Sequence, residues 1–524
     1  MKTKIILLFC LSSLLCFIQA QQTVIPYPNS IEVKDGQFEF KRVLLVDVDT
    51  CFKSEIELLS SVFRDEYGIK LILSSKGTLL IKKNDQLSEN VYKLQANKKG
   101  ILIEASTKKS CFYALQTLRQ LVKLNGRGWY QIHSCDIIDS PKYSWRAFML
   151  DESRYFKGTV FVKNMLDQMA LLKMNVFHWH LTDDQGWRIE IEKYPLLTEI
   201  GAWRDSTQIA KVSQGMPAKF YPYAHGGFYT KDEIRDIIDY AAKRHIMIVP
   251  EIEMPGHASA AVAAYPWLSP TGEKIAVPGG IGGIYNSTYN VADDKVYTFL
   301  TDVLGEVIDL FPSKIVHIGG DEVKFDTWNS NKKIKALMMK EKLTNASDVQ
   351  VFFVNKISNF IASKQCRMIG WNDIMGKNLH AWSTEANANQ KLASGTIVHF
   401  WKGEASLLKE ALADGYEVVN SNHWDTYLDY TYNRLPLEKS YNFSPIPNDV
   451  NPIHAKQILG LGCQMWSETI PKVCDAYRQI FPRIAAYAEV GWTASENKNF
   501  NRFSQNLLPL KRYWDSKGIS YFEE

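Results

Sequence analysis

The chain has 524 residues, 46% of them hydrophobic, and its 61 basic residues nearly balance 57 acidic ones. This length allows two or three domains, and a near-neutral charge without a basic cluster argues against nucleic acid as a partner. The cysteines beyond residue 20 are too few for a disulfide framework, although one or two bridges stay open, and their spacing does not suggest zinc.

Residues 1–20 have the pattern of a secretory signal peptide. Two lysines precede the apolar run Ile5 to Ile18, which is too short to span a membrane, and no later stretch is apolar enough to do so. We expect cleavage after Ala20 and secretion, with the periplasm favoured because the signal is short and cysteines are sparse. Lipid attachment at Cys16 and a lysosomal destination are the alternatives.

Residues 21–140 predict a small α+β domain. Short β-rich runs such as Val43 to Asp47 come first, and residues 90–105 have a hairpin pattern around polar turn residues. Residues 110–122 then place apolar side chains at helical spacing. A Ser-Pro step marks the expected boundary with a second domain, residues 141–524.

From Trp145 onward, short apolar strands alternate with amphipathic helices. Eight βα units over roughly 350 residues predict an α/β fold, a (β/α)8 TIM barrel. A doubly wound sheet is the alternative, but no glycine fingerprint follows the first strand. The expected strands are Ala147–Asp151, Asn175–His180, Ile246–Glu251, Ile315–Gly319, Arg367–Trp371, Thr396–Phe400, Glu417–Asn420 and Leu461–Trp466.

Each expected strand ends in polar or aromatic side chains, which is where a barrel places its chemistry. Taken singly, each set could be a cap, an ion pair or a core aromatic. All eight together indicate one pocket at the carboxyl end of the barrel. The sets are Asp151–Arg154, His180–Asp184, Glu251–His257, Asp321–Glu322, Trp371–Asp373, Trp401, Trp424–Asp429 and Trp466–Glu468.

The most informative stretch closes the fourth expected strand with the sequence Gly319-Gly320-Asp321-Glu322. A carboxylate that leaves water is costly unless it is paired, hydrogen-bonded or protonated, and a like-charged neighbour pushes one pKa upward. A fold tolerates such a pair where one carboxyl group works as an acid and another as an anion. A surface turn with two solvated acids is the alternative, but the two glycines and the apolar strand before them favour a site.

Aromatic content points to the kind of ligand. The chain has 14 tryptophans, and several fall beside the polar residues at the strand ends. Indole rings stack on the C–H faces of a sugar, while carboxylates and other polar groups bind its hydroxyls. The pocket therefore suits a carbohydrate.

Four motifs make the chain resemble glycoside hydrolase family 20, the β-N-acetylhexosaminidases. The family hallmark His-x-Gly-Gly-Asp-Glu stands here as His317-Ile-Gly-Gly-Asp-Glu322. The supporting motifs are Leu150-Asp-Glu-Ser-Arg-Tyr-Phe156, Phe177-His-Trp-His-Leu-Thr-Asp-Asp-Gln-Gly-Trp-Arg188 and Val249-Pro-Glu-Ile-Glu-Met-Pro-Gly-His257. The likeness runs from residue 112 to residue 490 and so includes parts of both expected domains.

The resemblance implies an exo-acting glycosidase, without metal or cofactor, for glycans that end in β-linked N-acetylglucosamine or N-acetylgalactosamine. In such enzymes the substrate's own 2-acetamido oxygen attacks the anomeric carbon and forms an oxazolinium ion, with overall retention. By resemblance, Glu322 is the acid and base, and Asp321 orients the acetamido group. Asp183 and His257 are the implied dyad beside Glu322, and Tyr427 is expected to hydrogen-bond the acetamido carbonyl.

The resemblance also assigns the residues that hold the terminal sugar. Arg154 and Glu468 are expected to grip ring hydroxyls, because hydrogen bonds to charged groups are roughly twice as strong as neutral ones. Asp429 is expected to meet another hydroxyl. Some relatives have a tryptophan between strands seven and eight where this chain has Tyr441, which leaves leaving-group binding there open. The expected aromatic wall consists of Trp371, Trp401 and Trp466.

Two other functions fit parts of the sequence. His178-Trp-His180 places two imidazoles on one side of a strand, as in a metal-dependent hydrolase, but no further His/Lys set completes such a site. A non-catalytic carbohydrate-binding barrel is the second alternative, although the implied catalytic carboxylates and tyrosine are all present. The gluco or galacto configuration of the substrate, its linkage and the oligomeric state stay open.

Overall fold

The computed structural model describes residues 23–208, 220–280, 287–381 and 383–523. The predicted signal peptide, residues 1–20, lies outside the described residues. The described chain folds into an eight-stranded sheet followed by a closed barrel of eight strands. None of the described helices is long and apolar enough to cross a bilayer.

A twisted sheet with two helices forms the amino-terminal part. Its strands are β1 (Ser30–Phe40), β2 (Val43–Val48), β3 (Lys70–Leu73), β4 (Leu79–Lys83), β5 (Tyr92–Asn97), β6 (Gly100–Ala105), β7 (Lys123–Leu124) and β8 (Tyr130–Asp139), and its helices are α1 (Lys53–Tyr67) and α2 (Lys108–Leu121). The strand order is β1-β8-β5-β6-β4-β2-β3, with β7 beside β8. Helix α2 begins at a capping box between Thr107 and Ser110. The predicted α+β fold, the β5–β6 hairpin and the following helix are confirmed.

The second part is a closed barrel in which neighbouring strands are all parallel. Its strands are β9 (Trp145–Asp151), β10 (Val176–His180), β11 (Met247–Glu251), β12 (Ile315–His317), β13 (Arg367–Trp371), β14 (Ile397–Phe400), β15 (Glu417–Asn420) and β16 (Ile458–Met465). Strand β16 pairs with β9 and closes the ring. The predicted (β/α)8 barrel is confirmed, and the alternative doubly wound sheet is wrong because the sheet has no open edge.

Helices cover the outside of the barrel and lie in the loops between its strands. They are α3 (Thr159–Leu171), α4 (Leu196–Glu199), α5 (Lys231–Ala242), α6 (Ser259–Ala264), α7 (Asp294–Leu310), α8 (Asp326–Ser330), α9 (Lys332–Glu341), α10 (Ala346–Ser363), α11 (Ala405–Ala413), α12 (His423–Thr426), α13 (Leu437–Asn442), α14 (Val473–Ile480), α15 (Arg483–Trp492) and α16 (Phe500–Ser516). Helix α5 is an example of how the local sequence determines a helix. It begins at a capping box between Thr230 and Glu233, and its apolar side chains face the core, namely Ile234, Ile237 and Ala241.

The barrel interior changes from apolar to polar along its axis. A fully apolar layer lies toward the amino ends of the strands and includes Ala147, Val176, Val249 and Ile369. Because side chains alternate along a strand, the inward residues two positions later share the next layer. There the chain places His178, Glu251, His317 and His399, all buried. The aromatic cluster of the pocket lies above them.

The fourth barrel strand is shorter than predicted. It ends at His317, not at Gly319, because Gly319 and Gly320 take positive φ values of 63° and 91° and leave the extended conformation. The chain thus turns immediately before Asp321, and the turn directs the two carboxylates into the barrel mouth.

The two parts of the chain meet at a buried ion pair below the barrel. Asp139 ends β8 and lies 3.3 Å from Lys173 Nζ, which follows α3, and neither side chain is exposed to solvent. The Tyr92 hydroxyl and the Trp492 indole nitrogen donate further hydrogen bonds to Asp139, at 2.6 and 3.0 Å. The charged groups of Asp139 and Lys173 thus have partners, as a low-dielectric interior requires.

The cysteines form no bridge among the described residues. Cys111, Cys135, Cys366 and Cys463 are buried, while Cys51 and Cys474 are exposed. Burial raises the pKa of the Cys135 thiol to about 12 and keeps it protonated. The buried cysteines therefore contribute to packing.

Candidate active site

The turn after β12 determines where Asp321 and Glu322 point. A side chain at Gly319 would overlap the carboxylate of Glu253, and one at Gly320 would overlap Ile374. Glu322 itself has a φ of 51°, a strained value for a residue with a Cβ atom. Asp321 is only 8% exposed, whereas the side chain of Glu322 is 40% exposed at the pocket mouth. The two neighbours therefore occupy different environments.

The surroundings of Asp321 disfavour the ionised form of its carboxyl group. Burial raises its pKa to about 8, with Asp373 and Glu322 adding to the rise and His257 opposing it. Its Oδ1 atom has no hydrogen-bond partner within the described part of the chain. A buried acceptor of this kind is suited to a donor that arrives with a ligand.

Of the dyad implied by the resemblance, His257 lies beside Glu322 and Asp183 contacts His257. Nδ1 of His257 is 3.2 Å from Asp183 Oδ1 and 3.1 Å from Asp184 Oδ2. Its Nε2 is 3.8 Å from both Glu322 Oε2 and Asp321 Oδ2. Burial opposes protonation of His257, but the adjacent aspartates raise its pKa well above the usual value. A cationic imidazole thus faces both carboxyl groups of the pair.

Arg154 is anchored in the floor of the same pocket. Its guanidinium donates to Asp183 at 2.7 Å and to Gln185 Oε1 at 2.8 Å, and it lies 5.1 Å from the Trp466 ring centre. Burial raises the pKa of Glu468 to about 7; Arg154 opposes this rise, and Asp429 adds to it. The three predicted sugar-gripping residues therefore form one electrostatic group.

Four aromatic rings build one wall of the pocket. They are Trp371, Trp401, Tyr427 and Trp466, and all are buried in a cluster of their own. The rings of Trp401 and Tyr427 are parallel, with centres 6.1 Å apart. The indole N–H of Trp401 donates to Asp373, and that of Trp371 donates to Glu251, each at 2.8 Å. Hydrogen bonds that the two indoles donate to buried carboxylates thus fix the orientation of two predicted wall residues.

Sequence reasoning assigned no role to Glu251, although it lay within a strand-end motif. Its carboxylate also meets His180 Nδ1 at 2.6 Å, and His180 Nε2 lies 2.9 Å from Asp183. Burial opposes ionisation of Glu251, but the surrounding histidines hold its pKa well below the usual value. The alternation of β11 pointed Glu251 inward, yet only the assembled barrel shows that it joins Trp371 to Asp183 through His180.

The histidines that favoured a metal site have hydrogen-bonding neighbours. His178, His317 and His399 are close enough to share an ion, as are His180, Glu251 and Glu253. However, both ring nitrogens of His180 face carboxylates, and His317 Nδ1 accepts a hydrogen bond from the Gly319 N–H at 2.9 Å. In this structure His180, His317 and His399 form hydrogen bonds at the strand ends of the barrel.

Tyr441 does not belong to the pocket. It is 1% exposed on α13, donates to Glu489 at 2.9 Å and packs against Phe503. Its position on the outer side of the barrel removes it from the leaving-group side. The exposed aromatic residue of this region is Trp424, at 51% exposure, three positions before Tyr427.

Comparisons with known proteins agree with this architecture. Residues 143–495 match the family described as "Glycosyl hydrolase family 20, catalytic domain", and residues 21–140 match its domain 2. The chain is 33% identical to a beta-hexosaminidase of Vibrio furnissii, covering 90% of this chain and 77% of that protein. It is 31% identical to a beta-hexosaminidase of Porphyromonas gingivalis, covering 95% and 64%. A solved exo beta-N-acetylglucosaminidase from Vibrio harveyi, in complex with N-acetylglucosamine, superposes with a TM-score of 0.85 at 32% identity, covering 96% of this chain and 78% of that one.

Proposed function

The chain belongs to glycosyl hydrolase family 20, and we propose on this premise that it is an exo-acting, retaining β-N-acetylhexosaminidase. It releases terminal β-linked N-acetylglucosamine or N-acetylgalactosamine by substrate-assisted catalysis. The observation that carries the proposal is the position of Asp321: a buried carboxyl group, with a free acceptor atom, between Glu322 and an aromatic wall.

In the first step Glu322 gives a proton to the leaving oxygen while the acetamido oxygen attacks the anomeric carbon. The acetamido N–H supplies the donor that Asp321 Oδ1 lacks, and the positive charge that develops on the ring favours the Asp321 anion. The bound sugar thus offsets the burial that raises the pKa of Asp321 in the free pocket. Tyr427 donates to the acetamido oxygen and aims it for attack.

In the second step water attacks the oxazolinium ion from the side that the leaving group has left. Glu322 now takes the proton from the water, and two inversions give overall retention. Asp183, itself paired with Arg154, holds His257 next to Glu322, and the positive charge of His257 stabilises the anion that forms when Glu322 gives up its proton. Arg154, Glu468 and Asp429 hold the hydroxyls of the sugar so that the reaction centre stays in place.

Substrate series test the mechanism directly. Purified enzyme should release 4-nitrophenol from the β-N-acetylglucosaminide and the β-N-acetylgalactosaminide, and the ratio of the two rates defines the configuration preference. The matched β-glucoside, which lacks the acetamido group, should react at least about 10³-fold more slowly, because no nucleophile is left. Comparable rates on the glucoside would overturn substrate assistance. Activity that a chelator abolishes would favour the metal-dependent alternative, and no turnover of any acetamido substrate would favour a binding protein.

A variant isolates the role of Asp321. Asp321→Ala should lose most activity and bind a thiazoline mimic of the oxazolinium ion much more weakly, because the mimic loses its anionic partner. Unchanged activity in Asp321→Ala would contradict the assignment. A substitution at the distant exposed Lys391, Lys391→Ala, provides the matched surface control.

We also infer secretion, which the amino-terminal pattern of residues 1–20 supports. The cleaved chain should begin at Gln21 and should be recovered from the periplasm. Sequencing the amino terminus of the mature protein tests this, and a chain that begins at Met1 in the cytoplasm would contradict it. A lipid-modified Cys16 would instead support membrane anchoring.

A further inference from the structure

The Glu322 carboxyl group lies between two histidines. Its Oε2 atom is 3.8 Å from His257 Nε2, and its Oε1 atom is 3.7 Å from His380 Nδ1. Each histidine is held from its other nitrogen by a buried aspartate, His257 by Asp183 and His380 by Asp373. Asp373 belongs to the predicted strand-end set after β13, whereas His380 comes from the following loop, for which the sequence analysis gave no motif.

Asp373 is an anion that fixes three separate parts of the pocket. Its Oδ1 atom accepts from His380 Nε2 at 2.6 Å and from the backbone N–H of Glu322 at 3.2 Å. Its Oδ2 atom accepts from the indole of Trp401 at 2.8 Å. Burial opposes ionisation, but the hydrogen bonds from His380 and Trp401 lower the pKa of Asp373. The Asp373 carboxylate therefore fixes the relative positions of Glu322, His380 and Trp401.

The anionic state of Asp373 determines how His380 is oriented. An anion accepts but does not donate, so Nε2 of His380 carries the proton of that short hydrogen bond. Nδ1 then faces two groups, Lys402 Nζ at 3.0 Å and Glu322 Oε1 at 3.7 Å. Lys402 also lies 4.9 Å from the ring centre of Trp401, which limits its freedom. A positive charge is thus fixed one imidazole away from Glu322.

We propose that His380, held by Asp373 and Lys402, is a second positioning residue for Glu322 and acts in the step that expels the leaving group. This inference rests on the proposed function. Glu322 becomes negative when it gives its proton to the leaving oxygen, and the Lys402 charge on the far side of His380 stabilises that product state. The 3.7 Å separation is longer than a hydrogen bond, and because Nδ1 carries no proton it can accept only from the protonated carboxyl group of Glu322, a contact that can shorten when substrate binds.

The leaving-group dependence of the rate separates positioning from general damage. A 2,4-dinitrophenyl leaving group needs almost no proton, whereas the sugar leaving group of N,N′-diacetylchitobiose needs a full one. His380→Ala should lower kcat/KM about 10- to 100-fold on the disaccharide but less than about threefold on the dinitrophenyl substrate, because general acid catalysis supplies 10²–10⁴-fold in all. Equal losses on both substrates would overturn the proposal and assign His380 to support of the acetamido wall.

Three further variants make the test specific. His380→Gln keeps a donor for Asp373 and should recover part of the disaccharide activity. Lys402→Met should show the same leaving-group pattern with a smaller loss, and the double variant should lose less than the product of the single effects, because the two residues act through one another. His454→Ala, a half-buried histidine that meets Gln457 at 2.7 Å, is the matched control and should change kcat/KM less than about twofold.

The outcome for the wild-type enzyme separates the two proposals. Wild-type activity on both substrates with no leaving-group dependence in His380→Ala overturns only the role of His380. Absence of wild-type activity on every acetamido substrate overturns the proposed function itself. If the loss of kcat/KM in the double variant equals the product of the two single losses, His380 and Lys402 act independently. That result would overturn the proposal that Lys402 acts through His380.

Discussion

Two buried aspartates of this chain have opposite surroundings. Asp139, at the seam between the sheet and the barrel, receives hydrogen bonds from Tyr92 and Trp492 and pairs with Lys173. The backbone N–H of Ser140 donates to it as well. Asp321, at the barrel mouth, has neighbouring carboxyl groups and an Oδ1 atom without a partner among the described residues. The same side chain is fully satisfied at one end of the barrel and left open at the other.

The difference shows that the carboxyl group at the seam stabilises the fold, whereas the one in the pocket lowers stability in favour of function. A buried charge with complete partners holds the two parts of the chain in one arrangement, and removing one partner exposes the full desolvation cost. A buried carboxyl group with an empty acceptor lowers stability, and natural sites retain such groups where a ligand completes them. Substitutions at the two ends should therefore separate activity from stability.

The largest effect concerns the rate. Glu322→Gln should lower kcat on the chitobiose-type substrate by about 10²–10⁴-fold, because the amide cannot exchange the proton. Asp139→Asn should leave kcat of the folded enzyme within about twofold, since the seam lies below the barrel. Steady-state kinetics on both variants tests the contrast, and a comparable kcat loss in Asp139→Asn would contradict it.

The next effect concerns the seam. Asp139→Asn should lower the free energy of unfolding by about 3 kcal/mol, because Lys173 is left buried without an anion. Urea unfolding at neutral pH measures this loss. Adding Lys173→Met to Asp139→Asn removes the orphaned charge and should restore part of the stability, whereas a loss below about 1 kcal/mol in the single variant would show that the pair contributes little.

A variant of Tyr427 separates the effect on rate from the effect on stability within the pocket. Tyr427→Phe should lower kcat/KM about 10²–10³-fold, because in the proposed mechanism the hydroxyl donates to the acetamido oxygen and removing one such donor costs this order of rate. Its ring stays in the aromatic wall, so the free energy of unfolding should change by less than about 1 kcal/mol. Full activity in Tyr427→Phe would remove the hydroxyl from the proposed mechanism.

The smallest effect concerns stability and pH at Asp321. Its pKa is raised to about 8 in the folded protein, above roughly 3.9 in the unfolded chain, so the folded state holds the extra proton between these values. Stability therefore falls as pH rises through this window, and Asp321→Asn removes the fall. The variant should gain about 1 kcal/mol over wild type at pH 8 and less at pH 5, measured by thermal unfolding at both values. A gain that is equal at the two pH values would contradict the shifted pKa.

Several features of the site followed from local patterns. The alternation of apolar strands and amphipathic helices predicted the eight strands, and barrel geometry then placed the strand-end residues in one pocket. The pair of glycines before Asp321 indicated a special turn, which the positive φ values explain. Arg154, Trp371 and Trp466 lie in the pocket because each follows or ends a strand. These are properties of short segments.

The sequence by itself determined the (β/α)8 barrel, the sheet that precedes it and the carboxylates at the mouth, because periodicity and turn chemistry act over a few residues. Only the tertiary structure decided that Tyr441 packs away from the pocket, that Asp139 meets Lys173, and that His380 approaches Glu322 and contacts Lys402. Each of these contacts joins residues distant in sequence or in an irregular loop. Their burial and charge depend on the assembled barrel, and so do the pKa values that distinguish one aspartate from another.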